Sequence, residues 1–201
     1  MEFFRRASGR PARLGVFPGT FNPVTVAHMA LAGAALSSVD EVVFALPREF
    51  PHKPYFGATF TQRLEMLAAA IAEEPAFSLA STEGGLFAEI AVECRQAYGE
   101  PVALSFLCGR DAAERVAGWD YGEPEAFAGM LRGFDLLVAA RGGDYHPAPQ
   151  FGERVRRVEL APGFENVSAT GIRRRISCGE PWEHMAPAAV REIVRRTYPG
   201  L

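Results

Sequence analysis

The sequence predicts an α/β fold in which helices cover both faces of a doubly wound parallel sheet and a small helical segment closes the chain. Two observations predict it. Short apolar runs typical of buried strands recur along the chain, and stretches with helical periodicity separate them. Because parallel strands need crossover connections, this alternation places helices on both sides of a parallel sheet. The 201 residues, 48% of them hydrophobic, suffice for one sizeable core.

Each predicted element has a local signature. The six strand-like runs are residues 14–17, 41–46, 77–81, 102–107, 134–140 and 155–160. The predicted helices are residues 59–72, 85–97, a short helix after Asp111, 124–132, 168–177 and a last helix that Pro187 begins. The helix over residues 59–72 is the clearest. It has an apolar stripe, a capping box of Thr59 with Gln62, and Arg63 on its polar face.

Composition and charge limit the functional classes. A net charge of −3, from 21 basic and 24 acidic residues, gives no overall field that would attract nucleic acid or a membrane surface. Arginine clusters at residues 173–175 and 191–196 leave a basic-helix nucleic-acid binder as an alternative; the second cluster better fits the solvated face of a terminal helix. No apolar stretch is long enough to cross a bilayer, and the amino terminus lacks an apolar signal core. We therefore expect a cytoplasmic protein without membrane or nucleic-acid partners.

The rest of the chain predicts no second domain and no disulfide or metal framework. The first twelve residues, with three arginines and no periodicity, are predicted to be a loose basic arm, 1–12, before a single domain, 13–201. Cys94, Cys108 and Cys178 are widely spaced without metal-ligand spacing, so we expect reduced, mostly structural thiols. The sequence leaves a homo-oligomer open.

The most informative segment runs from residue 14 to residue 28. A buried strand leads to a turn at Gly19, and the helix that begins near Thr25 carries His28 on the same face of its first turn. Glycine lets the backbone approach a ligand, and the unpaired N–H groups of a helix start attract anions. Taken alone, Thr25 and His28 are better explained as an ordinary helix cap and a histidine that lies near the surface. A second motif is needed to choose between an anion-binding site and this ordinary explanation.

Such a motif lies near the other end of the chain. The two motifs are Gly19-Thr-Phe-Asn-Pro with Thr25-x-x-His28, and Asn166-Val-Ser168-Ala-Thr170-Gly-Ile-Arg173. Together they resemble the paired signatures of the nucleotidyltransferase superfamily, G-T-F-D-P-(H/T)-x-G-H and I-S-S-T-x-I-R. Within it the chain looks most like the bacterial nicotinate (or nicotinamide) mononucleotide adenylyltransferases from about residue 13 onward. The resemblance implies a Rossmann-like fold and transfer of AMP from ATP to a mononucleotide phosphate, with release of pyrophosphate, in NAD biosynthesis.

The resemblance also implies roles for the opening motif. Catalysis of nucleotidyl transfer needs no protein nucleophile and depends on positioning and charge stabilisation. The backbone of Gly19, Thr20 and Phe21 would bind the α-phosphate region. His28 would donate to the oxygens where charge develops, with Thr25 as a further hydroxyl donor.

The late motif would hold the rest of the triphosphate. By the same resemblance, Ser168, Thr170 and Arg173 bind the β- and γ-phosphates through hydroxyl groups, N–H groups at a helix start and a guanidinium one turn on. Mg²⁺ is expected to accompany ATP, and it needs few protein ligands.

Further matches to the family follow the second, fourth and fifth predicted strands. Lys53, in a stiff Pro-His-Lys-Pro loop, is expected to bind the incoming phosphate, against the alternative of a solvated lysine. Gly109 and Asp111 would bind ribose hydroxyls, with Asp111 also fitting a helix N-cap. Trp119 would stack on the substrate's pyridine ring or lie in the core. Arg141 would face the nucleotide phosphates or solvent.

Three departures from the family pattern leave alternatives open. Asn22 replaces an aspartate, Ala27 a glycine and Ala169 a serine, which is compatible with a non-catalytic nucleotide-binding sensor. Residues 81–91 do not contain the tyrosine-threonine pair that contacts the nicotinate end in the family. An adenylyl- or cytidylyltransferase with another acceptor, such as a phosphopantetheine-like compound, therefore remains a second hypothesis.

Overall fold

A computed structural model describes residues 1–48, 57–118, 126–139 and 145–199. In these ranges the strands are β1 (Glu2–Arg5), β2 (Arg13–Pro18), β3 (Glu41–Pro47), β4 (Phe77–Thr82), β5 (Ala103–Gly109), β6 (Asp135–Ala139) and β7 (Val155–Val158). The α-helices are α1 (Val26–Ala35), α2 (Phe60–Ala70), α3 (Phe87–Tyr98), α4 (Arg110–Ala117), α5 (Ala126–Leu131), α6 (Ala169–Ser177) and α7 (Arg191–Thr197). None of the helices described is long and apolar enough to cross a membrane.

The strands form one sheet in the order β1-β4-β3-β2-β5-β6-β7. All neighbouring pairs are parallel except β1 with β4. The chain moves outward from β2 through β3 to β4, and then returns to the other side of β2 for β5, β6 and β7. The order thus reverses between β2 and β5, where doubly wound sheets bind ligands at the carboxyl ends of their strands. The predicted α/β fold is confirmed.

Each face of the sheet has its own apolar core. On one face, Phe17, Phe44 and Leu107 pack in a cluster with side chains from α1, α2, α6 and α7. On the other face, Val16 and Phe106 pack with side chains from α3, α4 and α5. Because successive strand residues point to opposite faces, a strand covered on both sides is apolar at nearly every position. This is why the strands are visible in the sequence as short continuous apolar runs.

The prediction of a loose amino-terminal arm is wrong. Glu2–Arg5 forms strand β1, which pairs antiparallel with β4 at the edge of the sheet. The ring of Phe3 packs edge-on against Tyr98, with 5.6 Å between the ring centroids, and the guanidinium of Arg6 lies over both rings. Four residues carry too little pattern to reveal a strand whose partner lies more than 70 positions further along the chain.

Helix α2 confirms its predicted cap and corrects the position of one side chain. Thr59 and Gln62 form the capping box, with the Gln62 side chain accepting the N–H of Thr59 at 2.8 Å. Arg63, predicted on the polar face, is only 2% exposed, and its guanidinium donates to the carbonyl oxygen of Thr20 at 3.3 Å. Helical periodicity marks the face of α2 that carries Arg63 as polar, but it cannot show that this face packs against the loop after β2.

Candidate active site

A cavity of about 240 Å³ opens at the carboxyl ends of β2, β5 and β6, next to the reversal of strand order. Its lining includes Gly19 after β2, Gly109 at the end of β5 and Ala139 at the end of β6. Helix α1 contributes Ala27 and His28. The fold therefore brings the opening motif to the place where this class of sheet binds its ligands.

The first turn of α1 determines how the imidazole of His28 is presented. Thr25 is the N-cap, and its hydroxyl oxygen accepts the His28 backbone N–H at 3.3 Å. In return, Nδ1 of His28 accepts the Thr25 backbone N–H at 3.0 Å. With Nδ1 acting as an acceptor, the hydrogen-bond pattern assigns the proton of the neutral ring to Nε2. The capping box thus turns His28 into an oriented Nε2–H donor.

Thr25 contacts His28 without lining the cavity itself. Its side chain is fully buried, it is not part of the cavity lining, and its hydroxyl oxygen lies 3.0 Å from Nδ1 of His28. The sequence led us to expect a hydroxyl that donates directly to phosphate. The structure places this hydroxyl on the far side of the imidazole, where it holds His28.

The turn between β2 and α1 provides backbone donors. The Gly19 N–H continues the sheet by donating to the Ala45 carbonyl at 3.1 Å, whereas the N–H groups of Thr20 and Phe21 donate to no group in the ranges that the structure describes. Thr20 and Phe21 both line the cavity. A Cβ at position 19 would lie 3.0 Å from the Phe21 ring, so a larger residue there would have to displace that ring. Phe21 has a φ of 45°, in the left-handed region that non-glycine residues rarely adopt.

The late motif meets the opening motif through its arginine. The guanidinium of Arg173 donates to the backbone carbonyl of Asn22 and, at 3.3 Å, to the hydroxyl of Thr170. The side-chain carbonyl of Asn22 accepts bonds from the Ala58 N–H, at 3.2 Å, and from the Tyr198 hydroxyl. Asn22, 5% exposed, therefore joins the opening loop to three distant segments. Both of the bonds to its side chain could be accepted equally well by the aspartate that the family has here.

A second, wider depression of about 600 Å³ adjoins the first cavity and shares Gly109 and Ala112 with it. Asp111 and Ser168 line this depression, as does Arg110 of α4. Ser168 is the N-cap of α6 and accepts the Gly171 N–H at 3.0 Å, which leaves its hydroxyl hydrogen to donate elsewhere. Thr170 is exposed at the start of α6. These residues form a polar rim beside the more apolar cavity.

Two residues of the lining were missed by sequence reasoning. Phe87 begins α3, stacks on Phe106 with ring centroids 4.6 Å apart and lines the cavity. It belongs to residues 81–91, the segment that does not match the family, and its position just after Gly84-Gly85 at the end of β4 was the available signal. Cys108 also lines the cavity, and burial raises the pKa of its thiol to about 12, so the thiol stays protonated.

Three predicted site residues, Lys53, Trp119 and Arg141, lie outside the described residues, and their roles stay predictions. Within the described ranges, no group of three or more His, Cys, Asp or Glu side chains is arranged to hold a metal ion. Of the three cysteines, which form no disulfide, Cys94 and Cys108 are buried and Cys178 is exposed.

Comparison with known proteins gives a consistent result. The model of the cytidylyltransferase-like family matches residues 16–175. A protein of Marinobacter nauticus named probable nicotinate-nucleotide adenylyltransferase is 32% identical over 206 residues, covering 90% of this chain and 93% of its own. A protein of the same name from Moorella thermoacetica is 28% identical over 203 residues, which cover 92% of this chain and 90% of the relative.

Among solved structures, two of the Plasmodium falciparum nicotinic acid mononucleotide adenylyltransferase have the same fold. The one complexed with NaAD has a TM-score of 0.71 at 15% identity and covers 92% of this chain and 95% of its own. The one complexed with APC has a TM-score of 0.69 at 16% identity, and the match covers 94% of this chain and 98% of that structure's chain. At this identity the likeness establishes the fold.

The reversal of strand order, with a cavity bordered by the starts of α1, α4 and α6, is the arrangement of an α/β nucleotide-binding enzyme. The chain belongs to the cytidylyltransferase-like family and is a nucleotidyltransferase. The resemblance seen in the sequence is thereby confirmed. Strand β1 precedes the region that the family model matches.

Proposed function

We propose that the protein transfers the AMP group of ATP to the phosphate of nicotinate mononucleotide. An oxygen of the mononucleotide phosphate attacks the α-phosphorus, a new P–O bond forms, and the bond to the bridging oxygen of pyrophosphate breaks. The products are a dinucleotide and pyrophosphate. The names of the sequence relatives support this choice of acceptor, at 28–32% identity over most of the chain.

The observation that carries the proposal is that the opening motif lines one cavity, while the late motif reaches the same cavity through Ala169 and the adjoining depression through Ser168. His28 lines that cavity, and its Nδ1 is held by Thr25, so Nε2–H is the donor offered to the α-phosphoryl oxygens. The N–H groups of Thr20 and Phe21 supply further donors in the same wall. Donors aimed at oxygens that gain negative charge lower the barrier of a phosphoryl-type transfer.

The late motif is proposed to bind the leaving pyrophosphate. Ser168 and Thr170 lie at the start of α6, where backbone N–H groups point outward, and Arg173 follows one turn later. Because Arg173 also holds the Asn22 carbonyl, the β,γ-phosphate region and the α-phosphate loop share one anchor. Mg²⁺ enters as part of the substrate, MgATP, held chiefly by phosphate oxygens and water.

The acceptor is proposed to be bound by three residues that lie outside the described ranges, together with two described residues. Lys53 would bind its phosphate, Trp119 would stack on its pyridine ring, and Arg141 would contact the nucleotide phosphates. Asp111 is proposed to accept bonds from ribose hydroxyls from its exposed position on the rim. Phe87 offers an apolar wall in place of the tyrosine-threonine pair of the family.

Release of pyrophosphate tests the proposal. The protein is incubated with MgATP and, in separate reactions, with nicotinate mononucleotide, nicotinamide mononucleotide or phosphopantetheine. We expect the fastest release with nicotinate mononucleotide and the corresponding dinucleotide as product. A faster reaction with phosphopantetheine would mean that the acceptor is a phosphopantetheine-like compound and that the protein is still an adenylyltransferase. ATP binding without release from any acceptor would favour a nucleotide sensor.

A further inference from the structure

The buried guanidinium of Arg63 lies behind the phosphate-binding loop. Arg63 belongs to α2, is 2% exposed and is not part of the cavity lining. It donates to the carbonyl oxygen of Thr20 at 3.3 Å. The charged side chain thus contacts a peptide group of the loop without itself lining the cavity.

The direction of that carbonyl determines the direction of a donor. The Thr20–Phe21 peptide is trans, since the cis bond in the described ranges is Asn22–Pro23. In a trans peptide the C=O and the following N–H point in opposite directions. When the Thr20 carbonyl points to Arg63, the Phe21 N–H points away from Arg63, and Phe21 is part of the cavity lining.

The loop needs such a restraint because Phe21 is held in an unfavourable conformation. Its φ of 45° lies in the left-handed region, which a residue with a Cβ leaves unless its surroundings hold it. The Phe21 ring packs against Phe17 and Phe44 at centroid distances of 5.4 and 5.6 Å, which fixes the side chain. The bond from Arg63 fixes the peptide plane next to it.

We propose that Arg63 is a positioning residue that keeps the Phe21 N–H aimed at the phosphate undergoing transfer. The inference rests on the proposed function and adds to it a residue that touches neither substrate. It acts through the peptide group between Thr20 and Phe21. Its effect belongs to the transition state, where the charge on the α-phosphoryl oxygens is greatest.

The test compares Arg63→Met, which removes the donor, with Arg63→Lys, which keeps the charge and one donating nitrogen. Arg154→Met is the matched control, because it removes an exposed guanidinium, paired with Asp135, near the amino ends of β6 and β7. We expect kcat to fall about 10- to 100-fold in Arg63→Met, since a misaimed donor costs less than a deleted one. The KM for MgATP should change by less than about threefold, as expected when only transition-state binding is lost. The kcat of Arg63→Lys should lie between those of Arg63→Met and the wild type. The kcat and KM of Arg154→Met should equal those of the wild type.

Thermal unfolding and circular dichroism accompany each assay, which is run well below the melting temperature. A folded Arg63→Met with wild-type kcat, or with an unchanged kcat and a raised KM, would overturn the inference. If Arg63→Met does not fold, Arg63→Gln is judged by the same kcat and KM criteria. The two proposals fail differently. Wild-type protein that releases no pyrophosphate with any acceptor overturns both, whereas active wild type with an indifferent Arg63 variant overturns only this one.

Discussion

His28 shows how one local contact can determine the chemistry of a side chain. A histidine can donate from either ring nitrogen, and the direction of its proton depends on what the other nitrogen accepts. Here Nδ1 accepts the Thr25 N–H, so Nε2 is the donor offered to a ligand. The same bond satisfies one of the unpaired N–H groups at the start of α1. Stability of the helix and orientation of the donor therefore have one cause.

Two substitutions of His28 separate these effects. His28→Ala should lower kcat about 10²- to 10³-fold, the usual loss for one transition-state donor, and should also weaken the helix start. His28→Asn can retain an acceptor near the position of Nδ1 while removing the Nε2 donor. We expect it to lose kcat to a similar extent with a melting temperature close to wild type, as measured by steady-state kinetics and thermal unfolding. If either variant kept full activity, the catalytic site would lie elsewhere.

At the scale of elements, the site depends on three helix starts that meet the carboxyl ends of strands. Helix α1 begins at a threonine with a reciprocal capping box, and α6 begins at Ser168, which also caps with its side chain. The start of α4 lies between them, after Gly109. Each start directs N–H groups and a positive dipole end outward. We therefore expect the capping residues to affect function as well as the helices.

Substitution of Thr25 tests this coupling. Thr25→Val keeps the shape and removes the hydroxyl, and we expect it to lower the free energy of unfolding by about 1 kcal/mol. Because His28 loses one of its supports, kcat should also fall about 3- to 10-fold. Thr25→Ser keeps the hydroxyl and is expected to match the wild type in both measurements. A Thr25→Val variant with lower stability and undiminished kcat would show that the cap does not position the imidazole.

A different contact joins the amino ends of β2 and β3. The carboxylate of Asp40 accepts the N–H groups of Ala12 and Arg13 at 3.0 and 2.9 Å, and the Arg13 guanidinium at 2.6 Å. The guanidinium of Arg13, followed by the backbone N–H bonds, holds the pKa of Asp40 below its usual value of 3.8. Its contribution to stability is therefore complete at pH values above 3.8 and is lost as pH falls through the lowered pKa.

Asp40→Asn should accordingly have a lower melting temperature than the wild type near neutral pH. We expect the difference to narrow as pH falls below 3.8, because the wild type then protonates Asp40 and loses the same interaction. Thermal unfolding at intervals from pH 7 to pH 2 measures this. A difference that stays constant over the range would mean that the carboxylate charge contributes nothing.

At the scale of the whole molecule, β1 extends the sheet at the edge beyond β4, on the other side of β2 from β5 and β6, whose ends border the candidate cavity. Three strand spacings separate β1 from β2, about 14 Å at 4.8 Å for each spacing. The strand covers the edge of β4, and the segment after it continues the attachment through a bond from the Ala7 N–H to the Ser78 hydroxyl at 2.8 Å. Its contribution should therefore be to stability and to protection of a sheet edge.

Deletion of residues 2–6 tests this separation. Loss of the Phe3 contact with Tyr98 and of the β1–β4 pairing should cost on the order of 2–3 kcal/mol and lower the melting temperature by roughly 5–10 °C. Measured well below that temperature, kcat should stay within about threefold of wild type. A fall in kcat as large as that of His28→Asn would link the edge strand to the site. Phe3→Ala would show how much of the stability loss comes from this one ring.

Much of the fold could be predicted from the sequence, because burial on both faces leaves apolar runs and helix starts leave capping residues. Strand β1 was not predicted, and the other described strands and helices lie within four residues of the bounds predicted for them. Thr59, Ser168 and Thr25 were predicted to begin helices, and each is an N-cap. These signals are local, since each depends on residues no more than four positions apart.

The site was predictable to the extent that its residues belong to motifs. Gly19, Thr20, Phe21, His28 and Gly109, which come from these motifs, line one cavity, and their roles toward a substrate stay predictions. The direction of the Thr25 hydroxyl, the contribution of Phe87 and the buried position of Arg63 were not predictable. Each of these features depends on which helix or strand packs against which other element. The identity of a single residue does not indicate that packing.

The sequence by itself thus determined the class of fold and the chemical class of the enzyme, and it indicated two segments as the candidate site. Only the tertiary structure decided how those segments are held together. Arg173 meets Asn22 across 151 positions, and Arg63 meets Thr20 across 43. Contacts of this range form only when the sheet has brought the two chain segments together. They orient the donors through carbonyl groups that every residue possesses, so no local pattern marks them in advance.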